Sequence, residues 1–168
     1  MISAPYPQDE GERLQLLERS GLLGDEHDTF LDALAITMAR TFRVPTALVS
    51  LIDADRQFFK AFVGLAVRET PRACSFCAHV LWWPQPLIVL DATQDPRFND
   101  NPLVLGSPQI RFYAGVPVFL RGICLGTLCI IDTRPRRQFH EHELRCLKGA
   151  ATAVEERLMQ MIRLQATA

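Results

Sequence analysis

The sequence predicts an α+β domain, with a central antiparallel sheet of five to six strands and the N- and C-terminal helices on one face. Three observations carry this. The β-rich runs Thr46 to Asp53 and Arg56 to Val63 are separated only by Ala54-Asp55. Strands so close must be antiparallel, because a parallel pair needs a crossover of a dozen or more residues. Ile110 to Phe119 and Gly122 to Asp132 repeat the arrangement around Leu120-Arg121-Gly122. Segments with helical apolar spacing precede the first hairpin and follow the last.

The elements follow in order. Glu10 to Ser20 reads as a short helix, with Leu14, Leu16 and Leu17 apolar and Gly21 as its stop. Asp28 is placed to cap a second helix, where Phe30, Leu31, Leu34, Ala35, Met38 and Phe42 recur at three- and four-residue spacing and Pro45 closes the segment. After the first hairpin, Gly64 to Arg72 reads as loop and Ser75 to Trp83 as a short helix ended by Pro84. Leu87 to Asp91 is a third strand. Thr93 to Pro108, rich in Pro, Asn, Asp and Gly, is loop with one helical turn. The long Gly64–Pro108 excursion is available to cover the second face of the sheet, leaving a cavity for a small ligand. A final helix runs from Glu141, with Leu144, Leu147, Ala151, Val154, Leu158 and Met161 on one seam. That seam spans roughly 26 Å at 1.5 Å per residue, against about 17–20 Å for a strand of five or six residues. Its end, around Leu158, Met161 and Ile162, is therefore expected to need another apolar surface, with Glu155, Glu156 and Arg157 beside it.

The 168 residues, 48% hydrophobic and 22% charged, fit one globular domain, 1–168, whose segment 144–168 extends toward a signalling coiled coil. A net charge of −1 gives no footprint for nucleic acid, and no apolar run reaches membrane-spanning length. The first ten residues lack the apolar centre of a signal peptide, and five cysteines fit a reduced chain. The expected location is cytoplasmic.

A set of motifs then carries a resemblance. These are Val49-Ser50-Leu51-Ile52-Asp53, Arg56-Gln57-Phe58-Phe59-Lys60, Glu69-Thr70-Pro71-Arg72, Ser75-Phe76-Cys77-Ala78-His79, Asp95-Pro96-Arg97-Phe98, Asn101-Pro102-Leu103-Val104, Ile110-Arg111-Phe112-Tyr113-Ala114-Gly115 and Leu125-Gly126-Thr127-Leu128-Cys129-Ile130-Ile131-Asp132. In this order, from Glu12 to about Leu158, they resemble a GAF domain, the small-molecule sensing module of bacterial signalling proteins. The subgroup is that found N-terminal in sensor histidine kinases and diguanylate cyclases. The resemblance implies the fold and a sensory role without naming the ligand. The Asn-Lys…Phe…Asp-Glu set of cyclic-nucleotide binders is not found, and Ala78 separates Cys77 from His79 where bilin binders place the two together. The glycine- and glutamine-rich stretch of free methionine-sulfoxide reductases is also missing.

The residues nominated for ligand contact are Cys77, His79, Asp95, Arg97, Arg111, Tyr113, Thr127 and Cys129. Cys74-Ser75-Phe76-Cys77-Ala78-His79 holds two thiols and an imidazole, but no second ligand pair completes a zinc site, so no metal is expected. Thiolates near a helix N-terminus are reactive; against this, a buried Cys77 serves equally well as a small apolar residue and His79 as scaffold. Arg111 and Tyr113 share a strand face with Gly115 and Pro117, while Ile110, Phe112, Ala114, Val116 and Val118 share the other. Arg111 and Tyr113 therefore point to the covered face, opposite Phe30, Leu34 and Met38. There Arg111 binds an anionic or aromatic ligand or else pairs with Asp91 or Asp95. Asp95-Pro96-Arg97-Phe98 reads first as an ordered turn, Arg134-Pro135-Arg136-Arg137 as a solvated turn, and one of Trp82 and Trp83 as buried.

The expected function is a non-catalytic sensory domain without cofactor. It binds an unknown small molecule, forms a parallel homodimer through the last helix, and relays to an effector such as a histidine kinase or diguanylate cyclase. The alternatives are a thiol-dependent enzyme of the free methionine-sulfoxide reductase type, using Cys77 with Cys74 or Cys129, and a ligand-free dimerisation module.

Overall fold

The computed structural model describes residues 1–24 and 26–165. Helices α1 (Glu10–Arg19) and α2 (Thr29–Phe42) lead into the hairpin β1 (Thr46–Ile52) and β2 (Arg56–Val63). Next come β3 (Glu69–Pro71), a 3₁₀ turn (Arg72–Cys74) and α3 (Phe76–Trp82). Then follow β4 (Leu87–Val89), the single turn α4 (Pro102–Leu105), the hairpin β5 (Phe112–Leu120) and β6 (Ile123–Asp132), and α5 (Glu141–Gln165). The six strands lie in the order β3-β2-β1-β6-β5-β4, all neighbours antiparallel. The predicted α+β sheet is thus present, and its two hairpins meet through β1 and β6. Glu69–Pro71, expected as loop, is a strand on the edge of β2. Three residues are too short to show alternation, and an edge position tolerates Pro71.

Local chemistry explains the boundaries. Asp28 accepts from Leu31 N at 3.0 Å and starts α2, and Ser75 accepts from Ala78 N at 3.0 Å and starts α3. Arg121 and Gly122 take φ of 52° and 83°, the left-handed pair that a tight hairpin between β5 and β6 requires. Glu143 accepts from His140 N at 2.7 Å, which fixes the first turn of α5.

On one face of the sheet, Leu31, Ala35, Met38 and Phe42 of α2 and Leu147, Ala151, Val154 and Leu158 of α5 pack on alternate residues of β1, β5 and β6. Phe30, expected on this inner face, is 46% exposed, because the buried stripe runs through Leu31, Ala35, Met38 and Ala39 instead. The end of the α5 seam finds apolar surface within this chain. Leu158 is fully buried in this core, and Met161 and Ile162 pack against it. Leu16 of α1 and Ile123 of β6 border the same hollow as Ile162 and extend the apolar surface beyond the sheet centre. The charges beside the seam also serve this chain: Arg157 grips Asp28 at 2.7 and 2.9 Å, and Glu155 accepts from Phe119 N at 2.8 Å. Positions 166–168 of the predicted coiled-coil extension lie outside the described residues.

Two buried cations tie α1 and its following loop to the sheet. Arg13 is enclosed, held by Glu10 at 2.8 Å and donating to the Ile52 carbonyl, while Glu10 also receives Arg72. Lys60 is the extra residue of a bulge in β2, opposite the register shift between Val49 and Ser50. It donates to the carbonyls of Gly24 and Glu26 at 3.1 and 3.2 Å.

The second face carries a separate core of Leu48, Ile52, Phe59, Phe76, Phe98, Tyr113 and Cys129. Ile110, expected beside Phe112, belongs here as well. β5 begins only at Phe112, and the left-handed Gln109 (φ 63°) resets the direction of the chain before it. Trp82 and Trp83 are both exposed, at 55% and 66%, because α3 ends there and turns its indoles outward.

Candidate functional site

Between the second face and the 64–110 excursion lies a cavity of about 270 Å³. β1, β2, β5 and β6 supply its floor through Leu48, Gln57, Phe59, Tyr113 and Ile131. The roof is Phe76 and Cys77 of α3, with Leu65, Ala66 and Val67 on one side of the mouth and Leu103, Ser107 and Pro108 on the other. The covered-face cavity expected from the length of the excursion is therefore present.

Its polar centre is the Cys77 sulfur. Tyr113 donates its hydroxyl to it at 3.2 Å, Gln57 Nε2 lies at 3.4 Å, and Cys129 Sγ at 3.7 Å. Ser75, already capping α3, donates to Gln57 Oε1 and so fixes that amide. Gly115 makes the Tyr113 contact possible: a Cβ there would stand 2.1 Å from the tyrosine oxygen, so only glycine lets the ring lie along its own strand. Phe76 completes the enclosure, stacked on Phe98 at 4.0 Å and 5.3 Å from the Tyr113 ring. The buried hydroxyls of Ser50 and Thr127, paired across β1 and β6, have no nitrogen or oxygen partner and turn to the same sulfur.

These neighbours set the protonation order. Burial pushes the Cys77 thiol up, but Cys129, Thr127, Tyr113 and Ser50 together favour its anion and bring it down to about 6. Cys129 goes the other way, raised by burial and then by the charge it faces at Cys77. Burial and the two sulfurs likewise hold Tyr113 protonated, as a donor. Of the pair, Cys77 is therefore the thiol that gives up its proton first.

The structure divides the eight nominated residues. Cys77 and Tyr113 line the cavity, and Thr127 and Cys129 meet Cys77 from the sheet. His79, Asp95 and Arg97 border the outer side of α3. There Asp95 chelates Arg97 at 2.6 and 2.9 Å and caps its own turn, and the His79 ring meets Phe98 edge-on at 4.8 Å. Burial and the Arg97 charge hold His79 in its neutral form. Arg111 reaches neither Asp91 nor Asp95. Its Nη1 donates to the carbonyls of Val104 and Ile110 at 2.9 and 3.1 Å, anchoring α4, while Asp91 bonds Thr93. Gln57, Ser50 and Thr70 were not nominated. Alternation with Leu48, Ile52 and Phe59 places Ser50 and Gln57 on the covered face, and a lone polar residue within such a run was the available sign. Cys74 turns to the Pro71 carbonyl at 3.2 Å. Among the described residues, no three of His, Cys, Asp and Glu gather into a metal-holding group, and no helix is long and apolar enough to cross a membrane.

The sheet order, the roofed cavity and the helices on the opposite face together define a GAF fold, and the chain belongs to the GAF domain family, whose profile matches residues 26–158. It is similar to a cyclic di-GMP phosphodiesterase of Pseudomonas aeruginosa, 42% identical over 159 residues, which are 94% of this chain and 27% of that protein. The chain thus spans about a quarter of that relative. In fold it is similar to the free methionine-R-sulfoxide reductase of Neisseria meningitidis, with TM-score 0.66, 22% identity, and coverage of 98% of this chain and 99% of the other. The PixJ GAF domain of Thermosynechococcus elongatus in its blue-light-absorbing form also matches, with TM-score 0.66, 14% identity, and coverage of 91% and 92%.

Proposed function

We propose that this chain is a small-molecule-sensing regulatory domain, in which occupancy of the cavity biases an effector through the sheet and α5. The cavity carries this reading: a sheet face that could have been packed solid instead keeps about 270 Å³ open beneath two loops. β6 runs from the Cys77 cluster to the hairpin whose Phe119 amide is held by Glu155 of α5, which gives a continuous physical route. The name of the Pseudomonas relative supports an effector that handles cyclic di-GMP. Assembly as a parallel homodimer accompanies the proposal. Since the seam of α5 is occupied by its own sheet, the dimer uses other faces of that helix. Native mass spectrometry of the purified chain tests both parts. The expected spectrum is a dimer carrying a small-molecule adduct, and Ala66→Trp at the mouth removes the adduct. A monomer at tens of micromolar removes the dimer from the proposal, and an adduct indifferent to Ala66→Trp removes the cavity.

A second reading rests on the Cys77–Cys129 separation of 3.7 Å. Two thiols so close can pass two electrons and two protons to a sulfoxide, leaving a disulfide, a thioether and water. Thiol-dependent turnover of free methionine sulfoxide, lost in both Cys77→Ser and Cys129→Ser, is the result expected of an enzyme. No turnover with dithiothreitol as reductant removes that reading.

A further inference from the structure

We infer that the cavity takes an uncharged, mainly apolar molecule that offers one acceptor oxygen to Gln57. This rests on the reading of the cavity as the sensing site.

The lining contains no Lys, Arg, His, Asp or Glu. The arginines of the neighbouring segments lie outside the lining and have partners of their own: Arg111 donates to the Val104 and Ile110 carbonyls, Arg72 pairs through Nη1 with Glu10, and Arg97 pairs with Asp95. Arg68 lies over the Phe62 ring, 6.0 Å from its centre. A carboxylate or phosphate brought here would lose its water and meet no cation, and the thiolate-prone Cys77 would repel it. Anions are excluded by the walls.

Size narrows the class further. The space of about 270 Å³ lies just under the usual range for drug-sized ligands. It equals the room of roughly nine waters at ~30 Å³ each, so the occupant has on the order of ten non-hydrogen atoms. Most of the wall is aliphatic or aromatic, including Leu48, Phe59, Phe76 and Ile131.

The polar end is set by counting donors. Tyr113 spends its one hydroxyl hydrogen on Cys77. Gln57 spends its carbonyl on Ser75 and one N–H on Cys77, but a primary amide has a second N–H. That hydrogen and the hydroxyls of Thr70 and Ser107 are the free side-chain donors of the lining, and of the three only Gln57 is buried at the inner end, away from competing water.

A matched pair of probes tests the inference: acetophenone, uncharged with one carbonyl, and benzoate, its anionic counterpart of similar size. Titration into ¹⁵N-labelled protein at pH 7 is expected to give saturable acetophenone shifts at Ala66, Val67 and Leu103, with benzoate at least about tenfold weaker. Gln57→Leu weakens acetophenone about three- to tenfold, the worth of one hydrogen bond. Ala66→Trp, an exposed change that leaves the fold intact, abolishes the shifts. Benzoate or cyclic AMP binding as tightly as acetophenone, and blocked by Ala66→Trp, overturns the ligand class while the cavity stands as a site. Acetophenone bound equally well by Gln57→Leu overturns the assigned polar end. Silence from every probe at the cavity residues overturns this inference, while the adduct in native mass spectrometry still decides the sensing reading by itself.

Discussion

The two faces of the sheet are built from the same strands and to opposite ends. Toward the helices, β1 sends Val49 and Leu51, and β6 sends Leu128 and Ile130, into an all-apolar core. Toward the cavity, the same strands send Leu48, Ser50 and Ile52, and Thr127, Cys129 and Ile131. The helix face is fastened at its rim: Arg157 to Asp28, Arg136 to the Phe42 carbonyl and to Glu143 at 3.2 Å, and Glu155 to Phe119. The cavity face keeps open space and sets the buried hydroxyls of Ser50 and Thr127 toward the Cys77 sulfur instead of an apolar neighbour. One face supplies stability, which lets the other carry chemistry that packing alone would not favour.

The largest effect tests that division. Leu158→Ala on the helix face, where the side chain is fully buried, should cost ~3 kcal/mol and lower the melting temperature by roughly 6–12 °C. Leu103→Ala at the cavity mouth, where the residue is half-buried and borders open space, should cost ~1 kcal/mol. Equal losses in calorimetry would mean that the two faces are equally load-sharing. Gly115→Ala comes next, at ~2 kcal/mol. The new Cβ displaces the Tyr113 ring into the cavity, so this variant should also lose the tyrosine–Cys77 hydrogen bond and probe binding together. A crystal structure with Tyr113 unmoved would refute the account of Gly115.

The helix face was the more legible in the sequence, and the reason is periodicity. The stripes of α2 and α5 and the alternation of β1, β5 and β6 each announce an apolar side. Asp28 as a cap, the helix beginning near Ser75, the two hairpins and the helix from Glu141 follow from local chemistry alone. What stayed hidden depends on long-range placement. Arg13 and Lys60 look like surface charges until the carbonyls of Ile52, Gly24 and Glu26 arrive beside them. β3 is visible only as a partner of β2. At the site, the Cys77 motif and the strand face of Tyr113 were readable. The meeting of Cys77 with Cys129, across 52 residues, is one of two pairings the sequence leaves open, the other being Cys74, and only the sheet register decides between them. His79 adjoins the Cys77 motif in sequence but faces Phe98 from the other side of α3, where Asp95 and Arg97 of the following loop pair with each other.

A smaller effect concerns the rim of the helix face. Asp28→Ala removes the α2 cap and the anchor of Arg157, at a cost of ~1 kcal/mol near neutral pH. Although burial alone would raise it, hydrogen bonds from Arg157 and Leu31 hold this carboxyl below the usual range. A lowered folded-state value means that the charge contributes fully above the unfolded value of about 3.9 and is lost as pH falls through the folded one. Melting curves of wild type and Asp28→Ala should therefore run parallel from pH 7 to about 5 and converge in stronger acid. Curves that stay equally far apart in stronger acid would assign Asp28 a role independent of its charge.

The effect that depends most steeply on pH, and bears most directly on chemistry, is at Cys77. Burial raises its thiol, but the groups gathered around the sulfur bring it to about 6, against about 8.5 for the unfolded chain. With the folded value lowered, the linkage contributes fully above about pH 8.5 and disappears as pH falls through 6. Between those limits wild type should gain stability over Cys77→Ala with rising pH, and below pH 6 the two should differ only by the small loss of packing. Thiolate absorbance at 240 nm, taken as the difference between the two proteins, should rise with a midpoint near pH 6. Tyr113→Phe removes one donor and should move that midpoint upward, whereas Leu158→Ala on the opposite face should leave it in place. A midpoint at 8.5 or above in wild type would show that burial outweighs the donors, and the cavity face would then be, like the helix face, a core in its resting state.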